Sequence, residues 1–308
     1  MALPPNERAI TAIYASGRRL RDEINHAVQS GLAQNGELGK PHLPLETLSR
    51  VNVTSEELRH ATTYQQGQIL EIKRLNRRTG LARGEWRVEA VDAKSGIVTV
   101  TNSRGRTSIF RPDRLSPASV EGALRLSEPK QLTLYVADRI RWTENDAKRG
   151  LFNADQARIV AINKQGITVE TSNGTVVKLA KQDPMLRHLD LAYALNANMA
   201  QGLTSDRGIA VMDSRERNLS NKQTFLVTIT RLRDHLTLIV DNADRIERAI
   251  LGHDGSKSSA LEVTDRLKSA AAAGLAKGLG VKNVERTAEV PQFKEPEIDR
   301  SRQRGISL

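Results

Sequence analysis

Arg231 stands directly after an apolar, strand-like run, TFLVTIT (residues 224–230), and before a second one, LTLIV (residues 236–240). A guanidinium is permanently charged and carries its donors in a planar fork that matches phosphoryl and carboxylate oxygens. Upstream, Gln201 and Gly202 form a Gln-Gly pair between LDLAYAL (residues 189–195), whose apolar spacing predicts a helix, and the strand-like GIAVMD (residues 208–213). Glycine there lets the backbone turn sharply or approach a ligand closely. A phosphate loop, GxxxxGK(S/T), occurs nowhere in the 308 residues. The residue types for one side of a phosphoryl-transfer site are present, and those of the other side are not.

A second group of residues has a simpler chemistry. Lys73, Arg74, Arg77, Arg78 and Arg83 crowd one Gly-containing stretch, and residues 64–117 hold 11 Lys and Arg against 5 Asp and Glu. Such loops follow a phosphate backbone by counterion release without reading sequence; a solvated loop on a basic protein is the alternative. The whole chain has 47 Lys and Arg against 36 Asp and Glu, a net charge of +11, which favours a polyanionic partner. Without cysteine it has no disulfide framework or thiolate metal site, and its six His show no HExxH or similar spacing, so no metal is assigned. No apolar run reaches the roughly 18 residues of a membrane span. The expectation is a cytoplasmic protein without membrane insertion.

The elements that must position these residues divide the chain into four. In residues 8–36 an apolar strand (Ala9 to Tyr14) meets a turn at Ser16 and Gly17. A helix follows with Leu20, Ile24, Ala27, Val28 and Leu32 in a stripe. This is a βα unit, the opening of a parallel sheet. Residues 64–182 contain one pattern made twice, about 70 residues apart. Ile69 and Ile140 open alternating strands, and basic Gly-containing loops lead to Arg87–Val91 and Arg158–Ile162. Gly96 and Gly166 then turn into IVTVTN and ITVETS. Period-2 alternation bounded by turn residues marks short antiparallel strands, enough for two small barrels of the Src-homology-3 kind. Residues 183–252 return to apolar runs alternating with helical segments, with TFLVTIT as a strand or a helix–strand junction and a last helix from Asn242. Residues 253–308 hold a short Ala-rich helix and a mixed-charge, apolar-poor tail expected to be mostly disordered.

With these residues in place, the chain resembles the C-terminal helicase region of the TraI/TrwC-like conjugative relaxase–helicases, a RecD-like superfamily 1 group. The resemblance covers residues 8–250. It implies a RecA-like second motor domain, discontinuous over 8–45 and 183–252, interrupted by barrels at 64–117 and 131–182. It assigns Arg231 to the γ-phosphate, across a cleft from a partner half that brings ATP and Mg2+. Gln201, Gly202 and Thr230 couple nucleotide state to bound DNA, and Asn196, Asn198 and Thr228 join Lys73, Arg74, Arg77 and Arg78 in single-stranded DNA contact. Arg231 as a surface residue paired with Asp234 is the plainer alternative. The family's Thr-x-His-Lys-x-x-Gln-Gly-like run reads Asn196, Asn198 and Met199 here, which removes a lysine charge. The chain alone is therefore expected to bind no cofactor and hydrolyse no ATP. Implied partners are the N-terminal relaxase, the first motor domain and a conjugative secretion coupling protein. A stand-alone DNA-binding or secretion-recognition module is the alternative function.

Overall fold

The computed structural model describes residues 3–73, 80–115, 123–196, 199, 204–216 and 219–252. Arg74, Arg77, Arg78, Asn198, Gln201, Gly202 and the segment 253–308 lie outside the described residues.

A short helix α1 (Pro5–Ile10) runs into strand β1 (Thr11–Ala15), and after Ser16-Gly17 helix α2 (Arg18–Gln34) follows. β1 is the second strand of a four-stranded, all-parallel sheet in the order β13 (Ala194–Leu195), β1, β14 (Ser205–Met212), β15 (Leu232–Val240). Helix α3 (Lys222–Ile229) joins β14 to β15, and α4 (Ala243–Gly252) follows β15. The chain is thus mixed α/β with a parallel sheet.

Between α2 and β13 the chain builds two antiparallel sheets. The first has six strands in the order β2 (Gly39–Arg50), β7 (Leu124–Val136), β3 (Ile69–Ile72), β4 (Gly84–Asp92), β5 (Ile97–Asn102), β6 (Thr107–Phe110). The second has five, β11 (Val176–Ala180), β10 (Gly166–Thr171), β9 (Gln156–Asn163), β8 (Arg139–Trp142), β12 (Leu189–Leu191). The meander β3-β4-β5-β6 recurs as β8-β9-β10-β11, with Ile69 and Ile140 in the first strand of each and Gly96 and Gly166 at the turn between second and third.

Two apolar cores fill these sheets, one around Leu70, Trp86, Val88, Val98 and Leu126, the other around Leu134, Ile140, Trp142, Ile159 and Val169. The long β2–β7 ribbon belongs to both. Leu126 packs in the first core and Leu132 and Leu134 in the second, with Leu43 and Leu45 of β2 beside them.

Several expectations are corrected. The α/β segment does not extend to residue 45, because Gly39–Arg50 pairs antiparallel with β7; two prolines hid its alternation. LDLAYAL is not helical. Leu189–Leu191 pairs with β8 in the second antiparallel sheet and Ala194–Leu195 with β1, so the return to the parallel sheet begins after residue 191. TFLVTIT is the body of helix α3, started by Asn221, whose side chain accepts from the Thr224 amide at 2.8 Å. The buried stripe of α2 is polar: Arg21, Asn25 and Gln29.

Candidate functional site

Three clusters surround the parallel sheet. The first lies where α3 meets β15. Thr230 ends the helix, and the carbonyl of Arg231 accepts from the Ser205 amide at 2.9 Å, joining the starts of β14 and β15. Tyr14 reaches the same place. Burial pushes its phenol up, opposed by a hydrogen bond with Ser205 and by the charge of Arg231. Nε of Arg231 is buried and has no hydrogen-bond partner among the described residues, and the same holds for Oδ1 of Asn196 beyond β13. Asp234 does not pair with Arg231; the neighbouring pair is Arg233 with Asp206 at 3.4 Å.

The structure therefore brings together Arg231, Ser205 and Tyr14. Sequence patterns pointed to the arginine alone, since nothing in the spacing signals that a tyrosine on the first strand will reach it. Thr228 is 6% exposed, and its hydroxyl donates to the Thr224 carbonyl within α3. Thr230 is exposed and donates to Val227 O at 2.9 Å. Neither threonine has a free hydroxyl proton in this arrangement. Lys73 leaves its strand to pair with Glu144, which also holds Arg125, so it ties the two antiparallel sheets together.

The second cluster sits at the carboxyl end of the strands, between β1 and β14. The chain goes from β1 to β13 on one side and then to β14 on the other, so this is the topological switch point, where open α/β sheets bind ligands. Ser16 donates to Glu216 at 2.7 Å, and a methyl group on Gly17 would overlap the Glu216 carboxylate. Ser214 donates from its amide and its hydroxyl to Asp241, both at 2.7 Å. Hydrogen bonds from Arg215 hold the Asp213 carboxyl down to about 2. Sequence reading took Ser16-Gly17 for a turn and missed the carboxylates that close it.

The third cluster is a buried joint. Asp190, 7% exposed, meets Arg141 at 2.7 Å, Arg21 at 3.1 Å and Lys130 at 3.3 Å, and Lys130 also meets Asp22 at 3.2 Å. Burial pushes the Asp190 carboxyl up, but the charges of Arg141, Lys130 and Arg21 outweigh it and leave it below the ordinary carboxylate range. One turn along α2, Asn25 accepts from the Ala194 amide and donates to the carbonyls of Leu191 and Ala194. A further turn along, Gln29 donates to Asp138 at 2.7 Å and to Thr133 O at 2.9 Å. The polar stripe of α2 is thus what fastens the parallel sheet to both antiparallel sheets. Among the described residues no group of three His, Asp or Glu is placed to hold a metal, and no helix is long and apolar enough to cross a membrane.

A parallel sheet with an arginine at its α3–β15 edge, a closed switch point and two inserted antiparallel sheets defines a mixed α/β chain of the interrupted kind. A family model described as the DNA relaxase TraI 2B/2B-like domain matches residues 47–134. The multifunctional conjugation protein TraI of Escherichia coli is 25% identical over 255 residues, 80% of this chain and 14% of that protein. The same protein from Escherichia coli strain K12 is 24% identical over 252 residues, again 80% of this chain and 14% of the relative. The chain is similar to TraI over most of its own length and spans about one seventh of the length of these relatives. Among solved structures, Pif1 helicase from Candida albicans is 12% identical with a TM-score of 0.36, covering 88% of this chain and 52% of its own. Bacteroides Pif1 bound to single-stranded DNA is 20% identical with a TM-score of 0.29, covering 47% and 36%.

Proposed function

We propose that this chain serves a conjugative relaxase–helicase as a second-motor-domain half, with two barrels of the Src-homology-3 kind inserted. It contacts single-stranded DNA and completes a nucleotide site without hydrolysing ATP itself. The observation that carries this reading is Arg231, held half-buried at the α3–β15 junction with no carboxylate within ion-pair distance among the described residues. A guanidinium in that state suits an anion arriving from outside the chain. In this reading a partner half supplies the phosphate loop with ATP and Mg2+, and this chain's part is to present charge at Arg231. Tyr14 and Ser205 brace the turn that carries it, and Gln201 and Gly202 couple that state to bound DNA. The relation to TraI over 80% of the chain supports the conjugative context.

The test is an ATPase assay on the purified chain, with and without single-stranded DNA. Hydrolysis should stay at background, and Arg231→Ala should change nothing. Adding a separately produced first motor domain of a TraI relative should give DNA-stimulated turnover that Arg231→Ala lowers at least about a hundredfold. Turnover by the isolated chain that Arg231→Ala abolishes would overturn the reading.

A further inference from the structure

All-parallel sheets are normally covered on both faces, usually by helices. Here the faces differ. Gly208, Ala210 and Met212 of β14 are buried, whereas Arg207, Ile209 and Val211, pointing the other way, are half-buried. The register extends that second face sideways, with Ile13 beside Ile209 and Val211 beside Ile239. Ile239 is 49% exposed on the outermost strand. Near β1 the same face opens into a cleft of about 700 Å3, lined by Ile13 and Ile209 together with Val28 and Leu32 of α2.

The far wall of this cleft belongs to the second antiparallel sheet and carries Arg139 and Arg158. These two exposed residues stand directly opposite each other on β8 and β9. Like charges in that position repel. Among the described residues neither has a carboxylate within ion-pair distance, Glu170 across from Arg158 on β10 included.

We propose that this sheet face and cleft are a docking surface for an amphipathic helix of a partner polypeptide. Its aliphatic stripe would lie on Ile13, Ile209, Val211 and Ile239, and its flanking carboxylates would neutralise Arg139 and Arg158. The extent of the surface selects the occupant. An acyl chain filling the cleft leaves Val211 and Ile239 in water, whereas a helix spans both regions. Nucleic acid would satisfy the arginines, but bases need aromatic platforms. The aromatic side of the lining is Tyr193, whose hydroxyl is bound to Asp138 at 2.5 Å.

The experiment uses the full chain with three probes: a synthetic Leu–Glu amphipathic helix, its Leu–Lys counterpart, and sodium decanoate. By fluorescence anisotropy the Leu–Glu peptide should bind and the Leu–Lys peptide should not. The double variant R139E/R158E should weaken the Leu–Glu peptide by at least about tenfold and admit the Leu–Lys peptide. Ile239→Lys, at an exposed edge position where a charge is tolerated, should weaken it by about tenfold as well. That variant keeps the test decisive if the double variant does not fold in a thermal melt. Failure of the Leu–Glu peptide to bind, equal binding of both peptides, or indifference to both substitutions would overturn the proposal. Decanoate binding without peptide binding would make the cleft an acyl site. Dimerisation in light scattering that Ile239→Lys abolishes would give the face to a second copy. Either result also overturns it.

Discussion

Asp190 is the residue on which most of the buried charge converges. Its carboxylate is surrounded by Arg141, Arg21 and Lys130, two of them nearly inaccessible to water. Removing the anion takes the carboxylate from the buried Arg141, while Arg21 and Lys130 keep Asp22, and breaking such a buried pair typically costs about 3–5 kcal/mol. Asp190→Asn should therefore lower the stability measured by urea unfolding by that order, while Asp234→Asn, exposed on β15, should change it little. The pH dependence follows from the sign of the shift. The folded-state carboxyl lies below its ordinary value, so its contribution is present above that value and is lost as the pH falls through the depressed one. Unfolding free energy should decline on the acid side in the native chain and more gently in Asp190→Asn. A parallel decline in both would remove Asp190 from the acid sensitivity. None of this was legible beforehand. Arg21 and Asp22 lie off the apolar stripe of α2, and nothing in a single sequence shows that a helix will be pressed between three sheets.

At the scale of elements the β2–β7 ribbon matters most, because one pair of strands passes through two cores. Leu134 is fully buried in the second core and lies eight positions beyond Leu126 in the first, on the same strand. Leu134→Ala should cost about 2–5 kcal/mol. Hydrogen exchange should show protection falling in β4 and β5 of the first core as well as in β8 to β10. Loss confined to β8 to β10 would mean that the cores open separately. The sequence announced some elements clearly. The strand before Ser16-Gly17, helix α2, the two meanders and α4 all follow apolar periodicity or turn residues. It misled where two periods coincide. LDLAYAL is apolar apart from Asp190 and buried apart from the half-buried Tyr193, so spacing could not tell strand from helix. TFLVTIT has the β-branched look of a strand, and the signal against that was its cap, Asn221. The candidate site was legible as Arg231; Tyr14 and Glu216 were not, since each acts across about 200 residues of chain.

For the whole molecule the relevant quantity is the net charge of +11 spread over several basic regions. If the stretch containing Lys73, Arg74, Arg77 and Arg78 makes about three phosphate contacts, log affinity for single-stranded DNA should fall with log salt at a slope of roughly −2. Changing these four residues to Ala should flatten that slope, and an unchanged slope would place DNA elsewhere. Lys73 is the member of the four to watch, since its ion pair with Glu144 must loosen before it can serve a phosphate. The route of the chain has a mechanical side too. The antiparallel insertion leaves from the end of α2 and returns into the parallel sheet at β13, and the ribbon runs through both cores. A load applied to that sheet is thus shared by the two cores side by side. The insertion should behave as one stiff lever carried on α2, with no hinge between its halves at which slack could collect.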